Sequence, residues 1–145
     1  MTTAAATTTT AAEKPSRGLH IGLWVTQILL AIGFGMAGAM KSTAPVEELA
    51  KQMPSLVSSG AALVRFIGVS ELLGAIGLIL PAATRIKPGL TALAGAALAF
   101  VMVLAAGFHV MQGEFKSLPA NFILGGMAAF VAWGRFKKAP IAPRG

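Results

Sequence analysis

Four long runs of apolar residues constrain the fold of this chain more than any other feature. Charged or titratable side chains interrupt the middle two runs at only three positions, Arg65, Glu71 and His109. A helix needs about 20 mostly apolar residues to cross a hydrocarbon core of ~30 Å. The runs lack the alternation of barrel strands, so each predicts a transmembrane helix. The predicted helices cover residues 19–40, 60–80, 89–111 and 118–135.

The composition supports a lipid environment. Hydrophobic residues make up 55% of the chain and charged residues only 12%, whereas soluble domains carry roughly 25% charged residues. A soluble helical core is the alternative, but nothing in the chain could cover four such helices. The sequence therefore predicts an all-α, integral membrane four-helix bundle with both termini on the same side.

The connections and ends complete this organisation. Residues 1–18 form an Ala/Thr-rich segment that we expect to be a disordered tail, residues 19–136 form the membrane domain, and residues 137–145 form a basic tail. The longest loop predicts a short amphipathic helix opened by Pro45, with Glu47 paired to Lys51. Pro81 and Pro88 are expected to bracket the short second loop.

The distribution of basic residues predicts the topology. Eight lysines and arginines lie in the amino-terminal tail, in the second loop and from Arg135 to the end of the sequence, against three in the first and third loops. The positive-inside rule places the tails in the cytoplasm, with Trp24 and Trp133 near that interface. Membrane topology thus explains the net charge of +7, and no nucleic-acid partner is expected. A cleavable signal ending at residues 37–39 is the alternative, but it would put the positive second loop on the wrong side.

Polar residues gather in the outer half of the expected bundle. Glu71 lies roughly 16 Å along its helix, near the bilayer midplane. Charges at such depths mark either function or a required pairing. The functional reading is a pocket for an anionic or quinone-like ligand, or a proton path; the structural reading is a set of charges that satisfy one another. The ligand-binding candidates are Lys41, Arg65, Glu71, His109, Glu114 and Asn121.

Glycines are predicted to pack the helices together. The spacing of Gly33, Gly35 and Gly38 matches a dinucleotide-binding loop, but it lies inside an apolar run with no preceding strand. We therefore interpret it as a small-residue packing surface. The second helix carries a similar set, Gly68, Gly74 and Gly77.

Haem and metal centres are not expected. His20 and His109 fall at opposite ends of the bundle, ~25–30 Å apart, which excludes a single bis-histidine haem. His109, Glu114 and Glu47 could ligate a metal, but their spacing is generic, and no metal is assigned. The absence of cysteine excludes thiol chemistry.

Four segments in order resemble the DoxX-like family of small four-helix bacterial membrane proteins. They are "AGAMK", "RFIGVSELLGAIGLILP", "FHVMQGE" and "LPANFIL", and the resemblance covers residues ~19–136. It implies a bacterial inner-membrane location and an association with membrane redox complexes, since the family is named after a subunit associated with thiosulfate:quinone oxidoreductase.

Three functions follow as hypotheses. The first is an accessory subunit of a membrane redox system that binds quinone or another small ligand and contacts oxidoreductase subunits. The second is a carrier for a small solute or protons, and the third is a purely structural or assembly protein. No nucleophile–base pair is visible that would support catalysis by the chain alone. Quinone is the candidate cofactor. Whether the protein forms a homo-oligomer is left open.

Overall fold

The computed structural model describes residues 13–145, and all the regular structure in that range is helical. Residues 1–12, most of the predicted tail, lie outside the described residues. The helices are α1 (Arg17–Thr43), α2 (Val46–Gln52), α3 (Pro54–Ser58), α4 (Ala61–Thr84), α5 (Gly89–Gln112) and α6 (Leu118–Trp133). A 3₁₀ turn, Phe115–Ser117, precedes α6, and a π-helical turn, Gly134–Lys138, follows it.

Four of these segments, α1, α4, α5 and the region Phe115–Lys138, are long and apolar enough to cross a membrane. The predicted all-α membrane fold is therefore confirmed. Helix α1 packs along α4, α5 packs along α6, and α4–α5 and α1–α6 contacts close the bundle. Large apolar side chains such as Phe66, Phe100 and Phe122 point outward, as expected of helices that face lipid.

Local sequence fixes the helix ends. The hydroxyl of Ser16 accepts a hydrogen bond from the backbone N–H of Leu19 at 3.2 Å and caps the start of α1. Gly113, with φ +72°, ends α5 in the left-handed conformation that glycine adopts at low cost. Pro119 lies in the first turn of α6, where its missing N–H has no helical partner to lose.

The helices approach most closely where glycine removes a side chain. A Cβ atom at Gly38 would lie 2.7 Å from the carbonyl oxygen of Gly68, so α1 and α4 cross nearly backbone to backbone. Gly74 and Gly77 make room for Leu98 and Ala94 of α5. Gly35 faces Ala75 at ordinary contact distance, whereas Gly33 has nothing within 4 Å of its Cβ position. Of the three glycines in the α1 motif, Gly38 makes the close contact.

Two connections differ from the sequence expectations. Pro81 does not end the helix before the second loop; it lies inside α4, which continues to Thr84. The side-chain amide of Gln27 donates to the carbonyl oxygen of Leu78 at 2.6 Å, three residues before Pro81. The proline removes the helical donor of the Gly77 carbonyl, so the Gln27 bond lies one residue beyond the group that Pro81 leaves free. In the first loop, Lys51 pairs with Glu48 at 2.8 Å and not with Glu47.

The bundle has two distinct ends. The tail end holds the start of α1, the α4–α5 turn and the end of α6, and His20 and Arg135 meet there at 3.1 Å. The loop end holds α2, α3 and the α5–α6 connection. The predicted cytoplasmic location of the tail end stays a prediction.

Candidate functional site

Lys41 and Glu71 form a buried ion pair between α1 and α4. Glu71 lies ten residues into α4, ~15 Å from its start, and is 2% exposed. The ammonium of Lys41 donates to both carboxylate oxygens, at 2.7 and 2.8 Å. The pairing places an opposite charge against each ion inside an apolar bundle, where an isolated charge is costly.

Arg65 serves the same helix pair. Its guanidinium donates to the backbone carbonyl oxygens of Lys41 at 2.8 Å and Ala44 at 2.6 Å. Carbonyls in the last turn of a helix lack intrahelical donors, so Arg65 caps the end of α1. The Arg65 guanidinium thus binds the protein backbone.

His109 and Glu114 form a second polar group, where α5 ends. His109 Nδ1 lies 2.7 Å from Glu114 Oε2, and the hydroxyl of Ser55, on α3, donates to Glu114 Oε1. The Ser55 hydrogen bond, followed by the His109 hydrogen bond, lowers the pKa of Glu114 below its ordinary value of 4.5. Glu114 is therefore a carboxylate at neutral pH.

Asn121 lies beneath this second group. A Cβ at Gly125 would lie 3.1 Å from the Cβ of Met102, so the antiparallel register places Asn121 level with about residue 106. It is thus about one helical turn, ~5 Å, deeper than His109. His109 is seven residues from Met102, and Asn121 four from Gly125, so both lie on the α5–α6 contact faces. The amide nitrogen of Asn121 is buried and has no hydrogen-bond partner among residues 13–145.

The candidates expected in one outer pocket therefore form two groups. Lys41, Arg65 and Glu71 join α1 to α4, whereas His109, Glu114 and Asn121 belong to α5, α6 and their connection. Within the described part of the chain, no hydrogen bond joins the first group to the second. The first group is internally satisfied, and the second leaves a buried donor unused.

A third polar group lies at the tail end, and sequence reasoning missed it. Arg135, only 4% exposed, donates from Nε to the side-chain oxygen of Gln27 at 2.7 Å and from Nη1 to the carbonyl of Ala139 at 3.1 Å. The Trp24 indole N–H lies 3.2 Å from His20 Nε2. Polar residues are therefore grouped at both ends of the bundle, and not in the outer half alone.

The sequence carried one signal for the tail-end group. Gln27 is an amide inside a run that otherwise reads as lipid-facing or core, and a buried amide requires partners. Arg135 gave no such signal, because it follows the last apolar run directly and was counted with the basic tail. Its burial depends on the π-helical turn that begins at Gly134, against which the Leu23 side chain packs.

The three side chains that could ligate a metal meet only in part. His109 and Glu114 come together. Within residues 13–145, no three histidine or acidic side chains are grouped closely enough to hold a metal ion, so Glu47 does not join them.

Comparison with protein families gives a match over most of the chain. The model described as the DoxX-like family matches residues 25–131. This range includes the first two polar groups and Gln27 of the tail-end group. No curated protein and no solved structure shows significant similarity to the chain.

Proposed function

The chain belongs to the DoxX-like family, and we propose that it is an accessory subunit of a membrane redox system that binds a quinone-type ligand at its loop end. The observation that carries the proposal is the buried, unpartnered amide nitrogen of Asn121 one turn beneath His109. A buried polar group without a partner is costly unless something else supplies the hydrogen bond. The redox assignment is motivated by the resemblance to the DoxX-like family, which is named after a subunit associated with thiosulfate:quinone oxidoreductase.

The donor arrangement suits a ligand with two oxygens on a flat apolar ring. The Asn121 amide donates to a carbonyl oxygen. The Glu114 carboxylate fixes one ring nitrogen of His109, so the other nitrogen is the one directed at a ligand. Neutral His109 accepts from a quinol hydroxyl at that atom, and protonated His109 donates to a quinone carbonyl. Through this nitrogen His109 can exchange a proton with the ligand.

The Lys41–Glu71–Arg65 group has a structural role in this proposal. Both oxygens of Glu71 are held by Lys41, and Arg65 is held by two backbone carbonyls. No buried polar atom of these three side chains lacks a partner within residues 13–145. An assembly role for the whole protein is the second candidate, and this network is the observation that favours it. A proton carrier using Glu71 is less well supported, because both of its carboxylate oxygens are paired with Lys41.

The test starts with the full chain purified in a mild detergent. Extracted lipids are analysed for quinone, and the protein is then titrated with decylubiquinone while its thermal stability is followed. We expect stabilisation in the wild type and its loss in Asn121→Ala and His109→Gln. Gln112→Ala is the matched control, because Gln112 is an exposed amide at the end of α5, the helix that carries His109.

Three results would count against the proposal. One is the absence of quinone from the extract together with no stabilisation by decylubiquinone. Another is equal loss of binding in Gln112→Ala and Asn121→Ala, which would indicate a general effect of the helix end. The third concerns the redox assignment: if no oxidoreductase co-purifies under mild conditions, the assembly role is favoured instead.

A further inference from the structure

The tail end presents a buried guanidinium that has no acidic partner among residues 13–145. The chain has only five acidic residues, all within that range. Glu48, Glu71 and Glu114 form ion pairs with other residues, and neither Glu13 nor Glu47 pairs with Arg135. Residues 1–12 contain no acidic side chain. Because a buried cation without a counter-ion is costly, Arg135 creates a demand for negative charge that these side chains leave unmet.

The hydrogen bonds around Arg135 show the same imbalance. His20 lies between two groups that can only donate, Trp24 Nε1 at 3.2 Å and Arg135 Nη1 at 3.1 Å. A neutral imidazole has one acceptor nitrogen, so one of these contacts sets N–H against N–H. The Nη2 group of Arg135 is buried with no partner among the described residues. The cluster therefore has more donors than acceptors and carries an uncompensated positive charge, which a nearby oxyanion would offset.

A cavity adjoins this cluster. It has a volume of about 370 Å³ and is lined by His20 and Trp24 on one side and by Arg85 and residues 140–142 on the other. The backbone N–H of Arg144 donates to the carbonyl of Arg85 at 2.9 Å and ties the last residues across the α4–α5 turn. The volume of the cavity falls within the range of small-ligand sites. Arg85 and His20 thus face the same space, with Arg135 behind His20.

We propose that this tail-end cavity binds a phosphate-type oxyanion, supplied by the headgroup of an anionic phospholipid or by free phosphate. Arg85, which lines the cavity, contacts the oxyanion, and Arg135 contributes its positive charge from behind the imidazole of His20. The position fits a headgroup, because the cavity lies where α1 begins and α4 ends, at the level of the bilayer surface. Basic pockets between membrane helices at this level are suited to phosphate headgroups.

Trp24 offers a direct probe of the cavity. The chain has two tryptophans, so Trp133→Phe leaves Trp24 as the sole fluorophore beside the site. The full-length variant in dodecyl maltoside is titrated with phosphatidylglycerol, with phosphatidylcholine and with inorganic phosphate. We expect a saturable change in Trp24 emission with phosphatidylglycerol and a much weaker one with phosphatidylcholine.

A matched pair of substitutions separates the site from general charge. Arg85 and Lys87 are basic residues in the same turn, both with left-handed backbone (φ 58° and 46°), and only Arg85 lines the cavity. Asparagine tolerates that conformation, so both variants should fold. Arg85→Asn should weaken phosphatidylglycerol binding about ten-fold, as the loss of a charge-assisted hydrogen bond predicts, and Lys87→Asn should weaken it about two-fold or less.

The outcomes of these titrations distinguish the two sources of the oxyanion, and some of them would overturn the proposal. Saturation by phosphatidylglycerol alone supports a lipid headgroup, and saturation by inorganic phosphate at millimolar concentration supports a free oxyanion. Equal binding of the two lipids without a phosphate effect would overturn the proposal. Equal losses in Arg85→Asn and Lys87→Asn would overturn it as well, because they would indicate attraction to the charged turn as a whole.

Discussion

Replacing Lys41 and Glu71 with apolar residues, singly and together, measures what the buried ion pair contributes to stability. Glu71→Leu leaves the Lys41 ammonium in an apolar bundle, and Lys41→Met leaves the Glu71 carboxylate there. Breaking one partner of a buried pair costs about 3–5 kcal/mol. The Lys41 side chain retains 15% exposure near the end of α1 and can shift toward water, so we expect losses of roughly 2–4 kcal/mol in each single variant.

The double variant Lys41→Met/Glu71→Leu should recover most of that loss. No uncompensated charge remains in it, and apolar replacements of a buried pair are often close to neutral. The cycle should therefore give a coupling energy of roughly 2–4 kcal/mol. The free energy of unfolding is measured by titrating detergent-solubilised protein with sodium dodecyl sulfate and following far-ultraviolet circular dichroism.

The chain supplies its own control. Lys51 and Glu48 meet at 2.8 Å, a distance similar to that of the buried pair, but their side chains are 69% and 54% exposed. The same cycle on this exposed pair should give a coupling below about 1 kcal/mol. Equal coupling at the two pairs, or a Lys41–Glu71 coupling under ~0.5 kcal/mol, would refute the argument that burial gives the inner pair its importance.

Two further predictions test helix packing and the connection between α5 and α6. Gly38→Ala should destabilise the protein by about 1–3 kcal/mol, because the new Cβ would meet backbone atoms of α4. Gly33→Ala on the same helix, with open space at its Cβ, should be neutral or slightly stabilising in the same unfolding assay; equal losses would contradict the assigned contact. The lowered pKa of Glu114, held by Ser55 and His109, means that its contribution to stability is present above the ordinary value of 4.5 and is lost as pH falls through the lower folded value. Thermal melts between pH 3 and pH 6 should therefore fall more steeply below pH 4.5 for the wild type than for Glu114→Gln, and parallel curves would exclude this contribution.

The glycine motif of α1 shows where sequence reasoning stops. Gly33 and Gly38 are equally small and lie in the same apolar run, so the sequence predicts packing for both. Only Gly38 faces α4 at backbone distance. The rotation of α1 about its axis decides this, and in a run that is apolar on every side the hydrophobic pattern carries little information about rotation.

For the polar groups too, the sequence predicted some features and only the structure showed the others. The sequence indicated that Glu71 is buried, because a charge in the middle of an apolar run has few other places to lie. It did not indicate that Lys41 reaches both carboxylate oxygens, or that Arg65 turns to the backbone of α1. Those partners are 30 and 24 residues apart in sequence, and their meeting depends on helix register.

The sequence by itself determined the number of spans, the helical class and the family, because hydropathy and capping signals act locally along the chain. Only the tertiary structure decided which polar residues meet. Gln27 and Arg135 are 108 residues apart and form one hydrogen bond, so their partnership exists only after α1 and α6 have packed side by side. Buried polar groups must find partners, but which partners they find is fixed by the rotation and register of neighbouring helices.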